Sequence, residues 1–187
     1  MDSTKNRNII FIAGAHGVGK RHLCEQLAPR LDARHVAASD LIRNRRTFGE
    51  AKAISGIDAN QAILVEELTA FKTTKSMVLL DGHFCLYNAD FEIEPLPSEV
   101  FRALNVAYTV LLTCNPAEIM ARLIKRDRKT SGFSLEKVER LQLAEQRHAR
   151  EISEALHIPL TELDVTEKPT PNALDTLASD IKREIGR

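Results

Sequence analysis

The chain has 187 residues, 43% apolar and 28% charged, a globular mix long enough to bury one core. Its 26 Lys and Arg equal its 26 Asp and Glu, so overall charge lends no support to a general nucleic-acid or anionic-membrane partner. No stretch approaches the ~20 apolar residues of a spanning helix, and the opening MDSTKNRNIIFIAG lacks a secretory pattern. Cys24, Cys85 and Cys114 have no zinc spacing and an odd count, which reads as buried thiols in a reducing cytoplasm.

Asn8 to Ala13 (NIIFIA) is an apolar, β-branched run suited to a central parallel strand. It leads into glycines and then an amphipathic segment, Lys20 to Leu31, with Leu23, Leu27 and Leu31 at helical spacing; Pro29 predicts that this helix frays or ends near its last turn. His35 to Ala38 is a second strand candidate, after which Ser39 or Asp40 caps a helix through Arg45. Thr47 to Ile57 has glycines and no clean period, and reads as mobile or irregular. Asp58 caps a helix over ANQAILVEELTAFKTT, and Met77 to Leu80 is a buried strand ending in Asp81-Gly82. LYNADFEIE predicts a small hairpin turning near Asn88 to Asp90, and Pro95 and Pro97 then break the chain.

Asn105 to Thr113 (NVAYTVLLT) is a further strand, and Pro116 starts a helix to about Asp127. Lys129 to Phe133 reads as a short loop, and Ser134 caps a long helix with Leu135, Val138 and Leu141 on its apolar side. Ile158 to Val165 is a last strand and Asn172 to Ile185 a last helix. Strands alternating with helices predict an α/β sandwich around a mostly parallel sheet.

Gly14-Ala15-His16-Gly17-Val18-Gly19-Lys20 fits GxxxxGK, with a strand before it and a helix after it. Glycines let the backbone curl so that several N–H groups face phosphate oxygens, and the helix N-terminus adds positive partial charge. Lys20 would neutralise the β and γ phosphates of a bound triphosphate. Arg21 and His22 follow, where the common motif places a Ser or Thr that ligates Mg²⁺. Either phosphates, water and an acidic residue elsewhere hold the magnesium, or the fold binds nucleotide with weakened catalysis.

With these motifs the chain resembles the adenylate-kinase-like nucleoside monophosphate kinases, most of all the short archaeal-type members and related small P-loop kinases with AAA-type ATP binding. The likeness runs through about Val165. It implies a three-layer P-loop NTPase fold with a mostly parallel five-stranded sheet flanked by helices. It also implies one domain over 1–187, with an acceptor-binding insert at about 39–75 and a short lid at about 127–133. GAHGVGK with Arg21 and His22 resembles the family's phosphate loop. Asp40 and Arg43 resemble the start of its acceptor-site helix, where the Arg clamps an acceptor phosphate. Asp81-Gly82-His83 resembles its Asp-Gly strand end, making Asp81 the candidate to organise Mg²⁺ through water and His83 a candidate to orient the acceptor. The Arg that often follows this Gly is absent, since Phe84, Cys85 and Leu86 come next.

Asn115-Pro116 with Arg122 and Arg126 resembles the helix leading into the lid, which implies that Arg122 packs on adenine and Arg126 contacts phosphates; Arg128 lies two residues further on. Arg147, after Glu145 and Gln146, matches an Arg on the long helix of the archaeal-type members, with Arg140 and Arg150 as rivals. The expected activity is transfer of the γ-phosphoryl of ATP, with Mg²⁺, to a nucleoside monophosphate or similar metabolite, catalysed by Lys20, Asp81, Arg122 and Arg126. Asp40, Arg43, His83, Arg128 and Arg147 would contact substrate. A phosphate acceptor needs no strong base; for a hydroxyl acceptor (a sugar, a shikimate-like compound or a nucleoside), Asp40 or Asp81 is the candidate base. The other reading is a nucleotide-binding switch or regulatory ATPase with a protein partner, favoured by Arg21 and His22.

Overall fold

The computed structural model describes residues 8–48, 57–127 and 133–186. The elements run β1 (Asn8–Ala13), α1 (Lys20–Leu31), β2 (Ala33–Ala37), α2 (Ala38–Phe48), α3 (Ile57–Ala70), β3 (Met77–Asp81), β4 (Cys85–Tyr87), β5 (Ile93–Pro95), α4 (Ser98–Ala103), β6 (Val106–Thr113), α5 (Pro116–Asp127), α6 (Leu135–Leu156), β7 (Leu160–Asp164) and α7 (Pro171–Ile185). Five strands form one sheet in the order β2-β3-β1-β6-β7. Every neighbouring pair in it is parallel, so the sheet is wholly rather than mostly parallel. The continuous apolar runs of β1, β3 and β6 explain this, because a parallel sheet covered by helices buries both faces of its strands. Helices flank the sheet, α1 packing with α7 and α4 with α6.

Register decides what meets at the carboxyl edge. Ile12 of β1 lies opposite Asp81 of β3, and Ala37 of β2 is also level with Asp81. The Gly82 N–H donates to the Ile12 carbonyl at 3.0 Å, holding the Asp81-Gly82 turn beside the end of β1. In open parallel sheets this edge is where ligands bind.

The first helix, α1, ends where the sequence placed its end, at Leu31 in the turn that holds Pro29, and closes at Asp32, whose N–H donates to Ala28 O. Pro29 is exposed while Leu27 and Leu31 are buried on the opposite side, so burial anchors the last turn and water can reach the carbonyl that Pro leaves unbonded. The helix read over ANQAILVEELTAFKTT stops at Ala70. A short helix, α4, follows Pro97; its six residues are too few to display a period. The hairpin over LYNADFEIE is present: β4 and β5 pair antiparallel, and the Asn88 N–H donates to Glu92 O at 2.9 Å. The irregular segment expected at Thr47 to Ile57 lies largely outside the described residues.

Under the Asp81-Gly82 turn sits an aromatic cluster. Phe11 meets Phe84 and Phe101 edge-on, with ring centroids 5.2 and 5.5 Å away, and Phe84 stacks on Phe101 at 4.8 Å. A Cβ on Gly82 would lie 2.6 Å from the Phe11 ring. Both partners of that ring are fully buried, so it has nowhere to retreat. Gly82→Ala should therefore lower stability by roughly 1–3 kcal/mol, read by thermal or denaturant unfolding; an unaltered transition would contradict this packing.

Candidate active site

The loop after β1 is shaped by close approach. Gly14 has φ 140°, and a Cβ there would lie 2.6 Å from the Leu112 carbonyl oxygen; at Gly17, with φ 82°, a Cβ would meet the Leu123 side chain at 2.9 Å. Gly19 caps α1 without a side-chain hydrogen bond, and no acidic residue stands in the helix's first turn. The positive end of α1 is therefore not neutralised by its own chain, and it opens where β1 delivers the loop.

Lys20 is buried at 8% exposure, and its ammonium donates to Gly14 O at 2.7 Å and Ala15 O at 3.2 Å. It also donates to His83 Nε2 at 3.3 Å. On the far side of that ring, His83 Nδ1 lies 2.9 Å from Glu145 Oε1, so the network assigns the proton to Nδ1 and the lone pair to Nε2. The other Glu145 oxygen accepts the Phe84 N–H at 2.8 Å. Three segments distant in sequence thus form one chain of bonds, Lys20 to His83 to Glu145.

Glu145 is fully buried, and burial pushes its carboxyl up to about 7, against an opposing pull from Lys20. Burial pushes Lys20 below its ordinary value, opposed chiefly by Glu145. His83 is held well below its ordinary value by burial and then by Lys20, so its imidazole is neutral. His16, whose ring centroid lies 4.1 Å from that of His83, is lowered to about 3, first by burial and then by His83 and Lys20.

Asp81 ends β3 with its Oδ2 3.6 Å from His35 Nε2. That nitrogen is shut from water and has no hydrogen-bond partner. Asp81, His35 and the buried Cys24 place one donor atom each within 4.8 Å of one another, a trio that sequence spacing does not reveal. Burial pushes the Cys24 thiol up, so it stays protonated. For Mg²⁺, which prefers oxygen ligands, the fitting group in this trio is the Asp81 carboxylate.

A cavity of about 760 Å³ opens at this edge, within the usual range for small-ligand sites. His16, Gly17, Gly19, Lys20, Arg21, His22, Asp81, His83, Arg122 and Arg126 line it, which brings most of the sequence-read residues to one place. Val18, Gly19, His22, Arg122, Val165 and Pro169 are among the residues around a second cavity of about 250 Å³. Arg122 stands between the two and donates to Val18 O at 2.8 Å and Val165 O at 3.4 Å.

Other residues lie apart. Asp40 on α2 pairs with Arg21 at 3.2 Å and with Arg43 at 3.3 Å, and neither Asp40 nor Arg43 lines the cavity, although their neighbours Ser39 and Ile42 do. Arg147 is 85% exposed and pairs with Glu151 at 3.5 Å. Arg128 and most of the lid at 127–133 fall outside the described residues, as does part of the insert at 39–75. Glu145 is the site residue that sequence reasoning passed over. It interrupts the buried stripe Val138, Leu141, Ala149 and Ile152 of α6, and a carboxylate in such a stripe is a signal of its own.

Fold and loop together define a P-loop kinase-type nucleotide-binding domain. The chain belongs to the AAA domain family, whose model matches residues 13–142. No curated protein matches it. Among solved structures, it is similar to a shikimate kinase from Acinetobacter baumannii in complex with shikimate, at 18% identity and TM-score 0.59, covering 98% of this chain and 95% of that one. It is also similar to a shikimate kinase from Bacteroides thetaiotaomicron, at 17% identity and TM-score 0.57, covering 96% of this chain and 99% of that one. At these identities the likeness is one of fold. Among the described residues, no helix is long and apolar enough to cross a membrane.

The raised Glu145 carboxyl has a thermodynamic consequence. Its folded value of about 7 lies above its ordinary 4.5, so the native state holds this proton more tightly than the unfolded chain does. Its stabilising contribution is complete below 4.5 and is lost as pH rises through 7. Relative to a Glu145→Gln variant, the parent should therefore lose stability between pH 4.5 and 7, read as the difference in unfolding free energy at the two ends. Parallel pH profiles would contradict it.

Proposed function

We propose that this chain is an ATP- and Mg²⁺-dependent small-molecule kinase. The observation that carries the proposal is the loop itself: backbone amides at an unneutralised helix end, and a buried Lys20, opening into a cavity large enough for a small acceptor. The loop amides and Lys20 would hold the donor phosphates, and the donor base would lie against Arg122 in the smaller cavity. Asp81 would hold hydrated Mg²⁺, which when bound neutralises charge on the donor phosphates. To reach a phosphate, Lys20 gives up bonds to Gly14, Ala15 and His83, and it meets stronger anionic acceptors in exchange. Arg126 would stabilise the charge spread over the transferring group, and Arg128 would join it from the lid. Arg43 would reach the acceptor from α2, and Arg147 the phosphates from α6.

Two acceptor classes fit this chemistry. A nucleoside monophosphate presents an oxygen that is already anionic, so positioning suffices. A hydroxyl acceptor is favoured by a specific observation: His83 is neutral, its Nε2 lone pair faces Lys20, and no Arg follows Asp81-Gly82. The similar structures include a shikimate kinase in complex with shikimate, a hydroxyl-bearing compound. In that case Asp81 is the better-placed base, because it lines the cavity, whereas Asp40 does not and is paired with Arg21 and Arg43.

Lys20→Ala should cut acceptor-dependent ADP formation by roughly a hundredfold or more while the chain stays folded by circular dichroism. Turnover equal to the parent's would remove the loop from the mechanism.

A further inference from the structure

His35 of β2 and Asp81 of β3 lie on one face of the sheet. Ala37 is level with Asp81, and His35, two residues earlier, shares its side. Helix α1 packs over β2 and β3 and brings Cys24, one helical turn beyond Lys20, to the same place. His35 Nε2 is sealed from water and bonds to nothing, and it stands 3.6 Å from Asp81 Oδ2, beyond hydrogen-bond reach. A buried polar atom left in that state calls for a partner, and a metal ion is one. Cys24 is fully buried, so no water competes for its sulfur. Hydrated Mg²⁺ would use the Asp81 carboxylate and leave both the imidazole and the thiol without a task.

We propose that Cys24 Sγ, His35 Nε2 and an Asp81 carboxylate oxygen form a binding site for a thiophilic divalent transition metal such as Zn²⁺. Sulfur and imidazole nitrogen suit Zn²⁺ and are poor ligands for Mg²⁺. At bond lengths of roughly 2.0–2.3 Å, tetrahedral ligands stand about 3.3–3.6 Å apart. The His35 and Asp81 atoms already have this spacing, and the Cys24 sulfur has at most about 1.5 Å to close. A coordinated thiol gives up its proton outright, and the proton passes to water. Thiolate and carboxylate then cancel the dication's charge, so the occupied site adds no net positive charge beside the buried Lys20 ammonium. Three protein ligands leave a fourth position for water, and Asp81, which lines the large cavity, gives the metal its way in. The metal would tie α1, β2 and β3 together next to the phosphate loop. The site stands on these three side chains and is independent of the kinase reading.

The test titrates Co²⁺, a coloured stand-in for Zn²⁺, into the reduced, metal-free protein. The parent should show a sulfur-to-cobalt charge-transfer band together with the strong visible bands of a tetrahedral site. Surface histidines can bind Co²⁺ but give no sulfur band. An equivalent of Zn²⁺ should bleach both sets of bands, and millimolar Mg²⁺ should not. Cys24→Ala should lose the charge-transfer band, whereas Cys85→Ala and Cys114→Ala should keep it. His35→Gln should weaken Co²⁺ binding by roughly tenfold or more. Stoichiometric Zn²⁺ should also raise the thermal midpoint of the parent and leave that of Cys24→Ala unchanged. The inference is overturned if the reduced parent shows no sulfur-to-cobalt band, or if folded Cys24→Ala keeps it. If Cys24→Ala does not fold, the parent spectrum and His35→Gln still decide, and Co²⁺ binding by His35→Gln as tight as the parent's overturns the site.

Discussion

Lys20 carries its charge where almost no water reaches, and it does so because Gly14 and Ala15 turn two carbonyl oxygens toward it while His83 ties it to Glu145. Taking an ammonium group out of water costs several kcal/mol, and hydrogen bonds to a charged group return about 1.5–3 kcal/mol each. Three such bonds roughly offset the burial. The arrangement is therefore close to balanced, and a ligand with stronger anionic acceptors can tip it. The same balance explains why burial moves both Lys20 and Glu145 toward their neutral forms.

The rest of the structure serves that point. Parallel pairing of β1 with β3 brings Asp81 level with Ile12, and the β-to-α turn after β1 aims the uncapped end of α1 at the same place. The aromatic cluster of Phe11, Phe84 and Phe101 supports the Asp81-Gly82 turn from below. Phe84 does double duty: its ring packs in this cluster while its N–H fixes Glu145. The site is therefore braced on its acidic side by core packing and on its basic side by the loop's own carbonyls.

Much of this was legible in the sequence. NIIFIA and NVAYTVLLT are long enough apolar runs to announce central strands, and GAHGVGK between strand and helix announces the phosphate loop. What stayed hidden depends on the third dimension. Glu145 occupies a core-facing position of an otherwise apolar stripe, and only the fold shows what it faces. His35 and Cys24 reach Asp81 through sheet register rather than through spacing along the chain. Arg43 and Arg147, read from resemblance, lie on exposed helix faces and pair with Asp40 and Glu151, contacts that spacing along the chain does not reveal by itself.

The claim beneath all of this is that the first loop grips a polyphosphate. Titrating ATP with magnesium into the folded protein by calorimetry measures it directly. The account predicts saturable binding with a dissociation constant below about 1 mM, in the usual range for enzyme substrates. No detectable binding at several millimolar ATP, by protein that unfolds cooperatively, would contradict it.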